Sequence, residues 1–172
     1  MPSVCGKDGQ RCREDLVLPG GWKFPVYRNA PLSGSPQITN AVVVVHGIQR
    51  NANSYFAGMM AAALSSHVED HTMVVAPWFQ TAQDHPGTYG PYWVDQPPKR
   101  ADAPGWMQGD SAVRPANLSS FAVMDDLLAT LADARRFPNL RSITVAGHSA
   151  GGQFVQRYAV FGLTADRLSR VK

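Results

Sequence analysis

Ser149 is the residue whose neighbours best equip it for covalent chemistry. It stands in Gly147-His148-Ser149-Ala150-Gly151, directly after the apolar run Ser142-Ile143-Thr144-Val145-Ala146 and before a helix-forming run from Gly152 to Phe161. A serine at the tip of a sharp strand-to-helix turn presents its Oγ above a sheet. Gly147 and Gly151 fall where a Cβ would clash inside such a turn. The backbone N–H of Ala150 then lies at a helix N-terminus, where it faces negative charge developing on an attacked carbonyl. The chemistry is acyl transfer, which needs a nucleophile, a base for its proton and donors for the tetrahedral oxyanion. Gly-x-Ser-x-Gly alone is a short pattern; the strand before it and the helix after it make it specific.

The elements needed to hold that serine follow from the apolar patterning. Leu16-Val17-Leu18 and Phe24-Pro25-Val26-Tyr27-Arg28, separated by Pro19-Gly20-Gly21, predict an antiparallel hairpin. Ala41-Val42-Val43-Val44-Val45 has no polar alternation, as expected of a central parallel strand buried on both faces. Phe56, Met60, Ala63 and Leu64 give the next helix its apolar stripe, with Asn51 or Asn53 as N-cap. Thr72-Met73-Val74-Val75-Ala76 predicts another buried strand. Ser119 or Ser120 caps a helix striped by Phe121, Met124, Leu128 and Leu131 and ended by Phe137-Pro138-Asn139. Phe154, Val155 and Tyr158 face inward on the helix after Ser149. Strand and helix alternate as in an α/β protein with a mainly parallel sheet and helices on both faces.

Two motifs, each after a strand and in the right order, carry a family resemblance: Val44-Val45-His46-Gly47-Ile48 and Ala146-Gly147-His148-Ser149-Ala150-Gly151-Gly152. Together they resemble the α/β-hydrolase fold, serine esterase or lipase type, over about Leu16 to Phe161. The resemblance implies that Ser149 is the nucleophile. It also implies that the N–H groups of Ile48 and Ala150 form the oxyanion hole, with Gln49 the alternative to Ile48. His46, Gly47, Gly147, His148 and Gly151 would support the site. It implies a small-molecule ester substrate and neither cofactor nor metal.

The sequence departs from that family in its base. Family order is serine, then Asp or Glu, then histidine; after Ser149 this chain has Asp166 and no histidine. Asp166 follows the helix too soon to be a triad acid. His46 belongs to the oxyanion turn and His148 adjoins the nucleophile. His67 and His71 fall at a surface turn, and His85, in a long loop, is the one free to act as a surrogate base. The simplest expectation is a truncated domain whose acid and histidine come from a missing C-terminal segment or a second chain. The rival is a non-catalytic binding module or pseudo-enzyme with the same fold; an acyltransferase would use the same parts with another acceptor.

The segment from Trp78 to Leu118 is rich in proline, glycine and aromatics. Either it contacts substrate or it is an irregular excursion pinned by buried tryptophans. Trp78, Trp93 and Trp106 are pocket or anchor residues on those two readings. Asp84-His85 is half a metal site or, more simply, a capped turn, and Asp95, Asp102 and Asp110 are turn caps or substrate contacts. Asp125 and Asp126 read as the polar face of their helix.

Composition sets the outer bounds. The chain has 172 residues, 44% hydrophobic and 17% charged, enough for one globular unit with a core. A net charge of +3 from scattered basic residues argues against nucleic acid, which is met by clustered charge. No apolar run approaches the ~18 residues of a membrane span, and Met1-Pro2-Ser3-Val4-Cys5 lacks the apolar stretch of a secretory signal. Residues 1–15 read as a flexible leader before a domain at 16–172. Cys5 and Cys12 close a small disulfide loop if the protein is exported, and are free thiols in a cytosol.

Overall fold

Four consecutive valines set the centre of the sheet. In the computed structural model, which describes residues 12–94 and 105–164, they lie in β3 (Asn40–Val45). β3 is flanked by β4 (Thr72–Pro77) and β5 (Ser142–Gly147), both parallel to it. β1 (Arg13–Val17) and β2 (Lys23–Arg28) form an antiparallel hairpin, and β2 pairs antiparallel with β4. The order across the sheet is β1-β2-β4-β3-β5.

The helices follow from the crossovers. The chain leaves β3 through α1 (Ala52–Ser65) to reach β4 on one side, then returns through α2 (Ser120–Ala132) to β5 on the other. Crossovers of one hand taken in opposite directions put their helices on opposite faces. Alternate residues of the strands divide accordingly. Val44, Val74 and Ala76 pack with Ala52 and Phe56 of α1. Val43, Val45, Met73 and Val75 pack with Leu127 and Leu131 of α2 and with Phe154 and Tyr158 of α3 (Ala150–Phe161). Each valine, leucine, methionine or phenylalanine among them contributes about 1.5–3 kcal/mol through burial.

Local differences from the sequence reading have physical reasons. β1 begins at Arg13, inside the stretch read as a leader. There Arg13, Glu14 and Asp15 pair with Tyr27, Val26 and Pro25, and Glu14 Oε2 accepts from Arg28 Nε at 2.5 Å and Leu32 N at 3.2 Å. Residues 1–11 lie outside the described residues. Cys12 is buried and disulfide-bonded; Cys5 is outside the described residues. Asn51 occupies the N-cap of α1 without a side-chain cap bond, and Leu64, read into the apolar stripe, is exposed. Ser119 does cap α2, accepting Ala122 N at 3.0 Å, while the neighbouring Ser120 hydroxyl donates to the Trp106 carbonyl at 2.6 Å. α2 stops at Ala132, ahead of Phe137-Pro138. The Asp133 carbonyl accepts from Arg136 and Phe137, and its carboxylate is gripped by Arg135.

Within Trp78–Leu118, the described residues form short turns and isolated bridges, Thr81 to Trp93, Tyr92 to Arg114 and Ser111 to Ser119. Trp93 and Trp106 are fully buried. Trp106 stacks on Phe79 at 5.3 Å, and Trp93 Nε1 donates to the Asp110 carbonyl at 2.9 Å. These two tryptophans anchor the excursion. Trp78 is only half-buried, against Tyr27 and Arg13.

Candidate active site

The register of β3 and β5 brings the two sequence motifs together. Val45 pairs with Gly147, so the chains leaving both strands, His46-Gly47 and His148-Ser149, emerge side by side. Ligands of open parallel sheets are met at that carboxyl end. A Cβ built on Gly47 would stand 3.6 Å from the Ser149 Cβ and 2.9 Å from the Tyr55 hydroxyl.

Ser149 occupies the turn between β5 and α3 with φ 56° and ψ −122°. A residue with a Cβ is strained there by about 1–3 kcal/mol, a cost borne where the surroundings over-determine the conformation. Those surroundings are the two glycines. A Cβ on Gly147 would overlap the Gly151 carbonyl, and one on Gly151 would overlap the Val45 and His46 carbonyls. α3 therefore starts in direct contact with the end of β3. Ser149 and His148 are exposed, whereas Ala150 is buried at the first turn of α3.

His46 is fully buried beside the site. Its Nδ1 lies 2.9 Å from the Gly47 carbonyl and its Nε2 accepts the Phe79 N–H at 3.0 Å. A carbonyl partner requires a proton on Nδ1 and an N–H partner requires a lone pair on Nε2, so the tautomer is fixed. Burial, above all, lowers its pKa to about 4; the bond to Gly47 opposes that shift and Arg50 adds to it. The ring is braced by Trp106 at 4.7 Å and Phe79 at 6.1 Å. Both nitrogens are engaged away from Ser149, so His46 supports the turn and does not serve as base.

Gly47, Ile48, Gln49 and Arg50 make a tight turn closed by Arg50 N to Gly47 O at 3.1 Å. Ile48 and Gln49 sit at its corners. Among the described residues neither their N–H groups nor that of Ala150 donates a backbone hydrogen bond.

The other histidines are elsewhere. His148 Nδ1 lies 3.2 Å from the Tyr55 hydroxyl. His67 is exposed at the end of α1, and His71, also exposed, meets the Gln37 carbonyl. His85 is exposed and follows a turn in which Asp84 and Thr81 cap each other, the simpler of the two readings of Asp84-His85. Among the described residues the histidine ring hydrogen bonds go to Gly47, Phe79, Tyr55 and Gln37, not to the Ser149 hydroxyl, and no group of three or more His, Cys, Asp or Glu could hold a metal ion. Asp110 caps Gly105 N at 2.9 Å. Asp95, Asp102 and Asp166 lie outside the described residues. Asp125 does more than face solvent: its Oδ1 accepts from Tyr158 Oη at 2.6 Å and Thr164 N at 2.9 Å, tying α2 to the end of α3. Burial, then Asp125, raises the Asp126 pKa.

Two residues around the turn escaped sequence reading. Tyr55 lies off the predicted stripe of α1, and Arg50 carries φ 57° and pairs with Asp84. Their roles depend on partners 93 and 34 residues away, which no local spacing announces.

Comparison with known proteins places the fold. No family model matches the chain and no curated protein matches it. Solved structures share its architecture, two among them as follows. One is poly(aspartic acid) hydrolase-1 from Sphingomonas sp. KT-1, with 23% identity and a TM-score of 0.56, covering 92% of this chain and 54% of that one. The other is a poly(3-hydroxybutyrate) depolymerase from Bordetella parapertussis, with 22% identity and a TM-score of 0.55, covering 91% and 50%. The chain thus shares the fold of these two proteins and spans about half the length of each.

Proposed function

We propose that this chain carries the nucleophile half of a serine hydrolase acting on carboxylic esters. Ser149 attacks the ester carbonyl and becomes the acyl-enzyme. Ala150 N–H and Ile48 N–H, or Gln49 N–H in place of the latter, stabilise the oxyanion. The observation that carries this reading is Ser149 held at φ 56° between β5 and α3, against the Gly47 turn, whose Ile48 and Gln49 N–H groups donate no backbone hydrogen bond. A strained, exposed serine beside such donors has the geometry of an attacking group.

The proton acceptor and its carboxylate come from outside the described residues, on a further segment or a second chain. Two observations support this. His46, the buried histidine nearest the turn, is committed to Gly47 and Phe79. β5 also has no strand on its outer side among the described residues. Peptidase, thioesterase and lactonase chemistry would use the same parts, because fold does not fix the acyl substrate. A second reading, a binding module without turnover, is favoured by the lack of a histidine hydrogen bond to the Ser149 hydroxyl among the described residues. Hydrolysis of short p-nitrophenyl esters by protein isolated from its native host separates the two. The hydrolase predicts turnover that Ser149→Ala abolishes; activity that survives the substitution, or none at all, refutes it.

A further inference from the structure

The turn that bears Ile48 and Gln49 is fastened at both ends to one segment, the chain leaving β4. At the near end His46 Nε2 accepts from Phe79 N while its Nδ1 donates to Gly47 O. At the far end Arg50 Nε donates to Asp84 Oδ2 at 2.6 Å, with the two side chains only 12% and 16% exposed. The Arg50 backbone N–H closes the turn on Gly47 O, and its Nη1 reaches the Ile48 carbonyl at 3.4 Å. Asp84 is itself fixed, since the same Oδ2 accepts Thr81 N at 2.8 Å and Thr81 Oγ1 at 3.2 Å. Arg50 is held at φ 57°, a left-handed conformation that an unbranched residue keeps only when other bonds impose it.

From this geometry we infer that Arg50 and Asp84 are positioning residues for the proposed reaction: their ion pair sets the direction of the Ile48 and Gln49 N–H groups beside Ser149. The inference rests on the reading of Ser149 as a nucleophile. Both the Gly47–Ile48 peptide and the Ile48–Gln49 peptide hang between the two fastenings. The Gly47 carbonyl is held by His46 and Arg50, so the Ile48 N–H, on the opposite edge of the same planar peptide, has its direction fixed too. Arg50 steadies the second peptide, through the Ile48 carbonyl. Without the anchor to Asp84, the turn is free to rotate its donors. A donor preorganised for the oxyanion contributes on the order of 10²–10³ in kcat, so a loosened one loses part of that.

The test compares Arg50→Gln, Asp84→Asn and a control, Arg28→Gln, which removes the half-buried pair with Glu14 on the distant hairpin. Two readouts are taken on the protein from its native host: p-nitrophenyl ester kinetics and backbone amide NMR. Arg50→Gln and Asp84→Asn are expected to lower kcat about 10- to 100-fold, with KM changed no more than about twofold. The Ile48 and Gln49 amide signals should shift or broaden while those of β3 stay in place. Arg28→Gln should leave kcat within about twofold, and Arg50→Lys, which keeps charge but not the planar fork, should recover part of the loss. If Arg50→Gln does not fold, Arg50→Lys against Arg28→Gln carries the same comparison. Unchanged kcat, equal losses in the control, or unmoved Ile48 and Gln49 amides overturn the inference. Absence of Ser149-dependent turnover in the parent protein would instead sink the hydrolase reading, and the amide signals alone would then decide whether the ion pair orients the turn.

Discussion

Protonation of His46 should destabilise this protein from the inside. The ring is fully buried, its two nitrogens are taken by Gly47 O and Phe79 N, and its pKa falls from an ordinary 6.5 to about 4. The unfolded chain binds a proton at His46 below pH 6.5, whereas the folded chain resists it until about pH 4. Between those values the unfolded state holds more protons, so stability rises with pH across the window and is lost as pH falls. Each unit of pKa difference corresponds to 1.36 kcal/mol, which makes the His46 contribution about 3 kcal/mol between pH 7 and pH 4. Carboxylates titrate in the same range, so the assay is a difference. Urea unfolding is followed from pH 4 to pH 7.5 for the parent and for His46→Gln, whose amide offers a donor and an acceptor but no titration. The parent should lose about 3 kcal/mol more than the variant on acidification, and the His46 ring signals should titrate near pH 4. Parallel stability curves, or a His46 midpoint near 6.5, would refute the burial argument.

The elbow glycines give opposite outcomes one residue apart. Gly151→Ala drives a Cβ into the Val45 and His46 carbonyls and should cost about 3 kcal/mol by urea unfolding. Gly152→Ala meets nothing closer than the Gly147 carbonyl at 3.5 Å, and should gain about 0.5–1 kcal/mol from helix propensity. Ser149→Gly removes the strain at φ 56° and should raise stability by about 1 kcal/mol in the same measurement while destroying any reaction at that position. Tyr158→Phe keeps the ring against Phe154 and deletes the hydroxyl bond to Asp125, for a loss of about 1–2 kcal/mol in thermal unfolding.

The strands and helices were legible because their signals are local. The unbroken valines of β3 could only be buried on two faces, and Ser119 announces the start of α2 by its own chemistry. Boundaries set by pairing were not legible. Arg13, Glu14 and Asp15 read as polar leader until Tyr27, Val26 and Pro25 are laid beside them. Leu64 fits the helical period of α1 yet is exposed, while Ala52, Phe56 and Ala63 are the buried residues of that helix. At the site, Ser149, Gly47, Gly147 and Gly151 are visible in sequence because a tight turn restricts which residues it accepts. Arg50 and Tyr55 were invisible, since each acts through a partner set by the sheet order, and Asp84 was legible as a turn cap but not as the partner of Arg50. The fate of the tryptophans was open until Phe79 and His46 supplied the surfaces that bury Trp106.

The central claim is that Ser149 is a nucleophile, and the most direct measurement is covalent. Protein from its native host is treated with a fluorophosphonate, and the adduct is located by peptide mass spectrometry. The account predicts one phosphonyl group, on the peptide holding Ser149, that disappears in Ser149→Ala and blocks ester turnover in the parent. Ester turnover with Ser149 unmodified, or an adduct on another residue that abolishes activity, would contradict it.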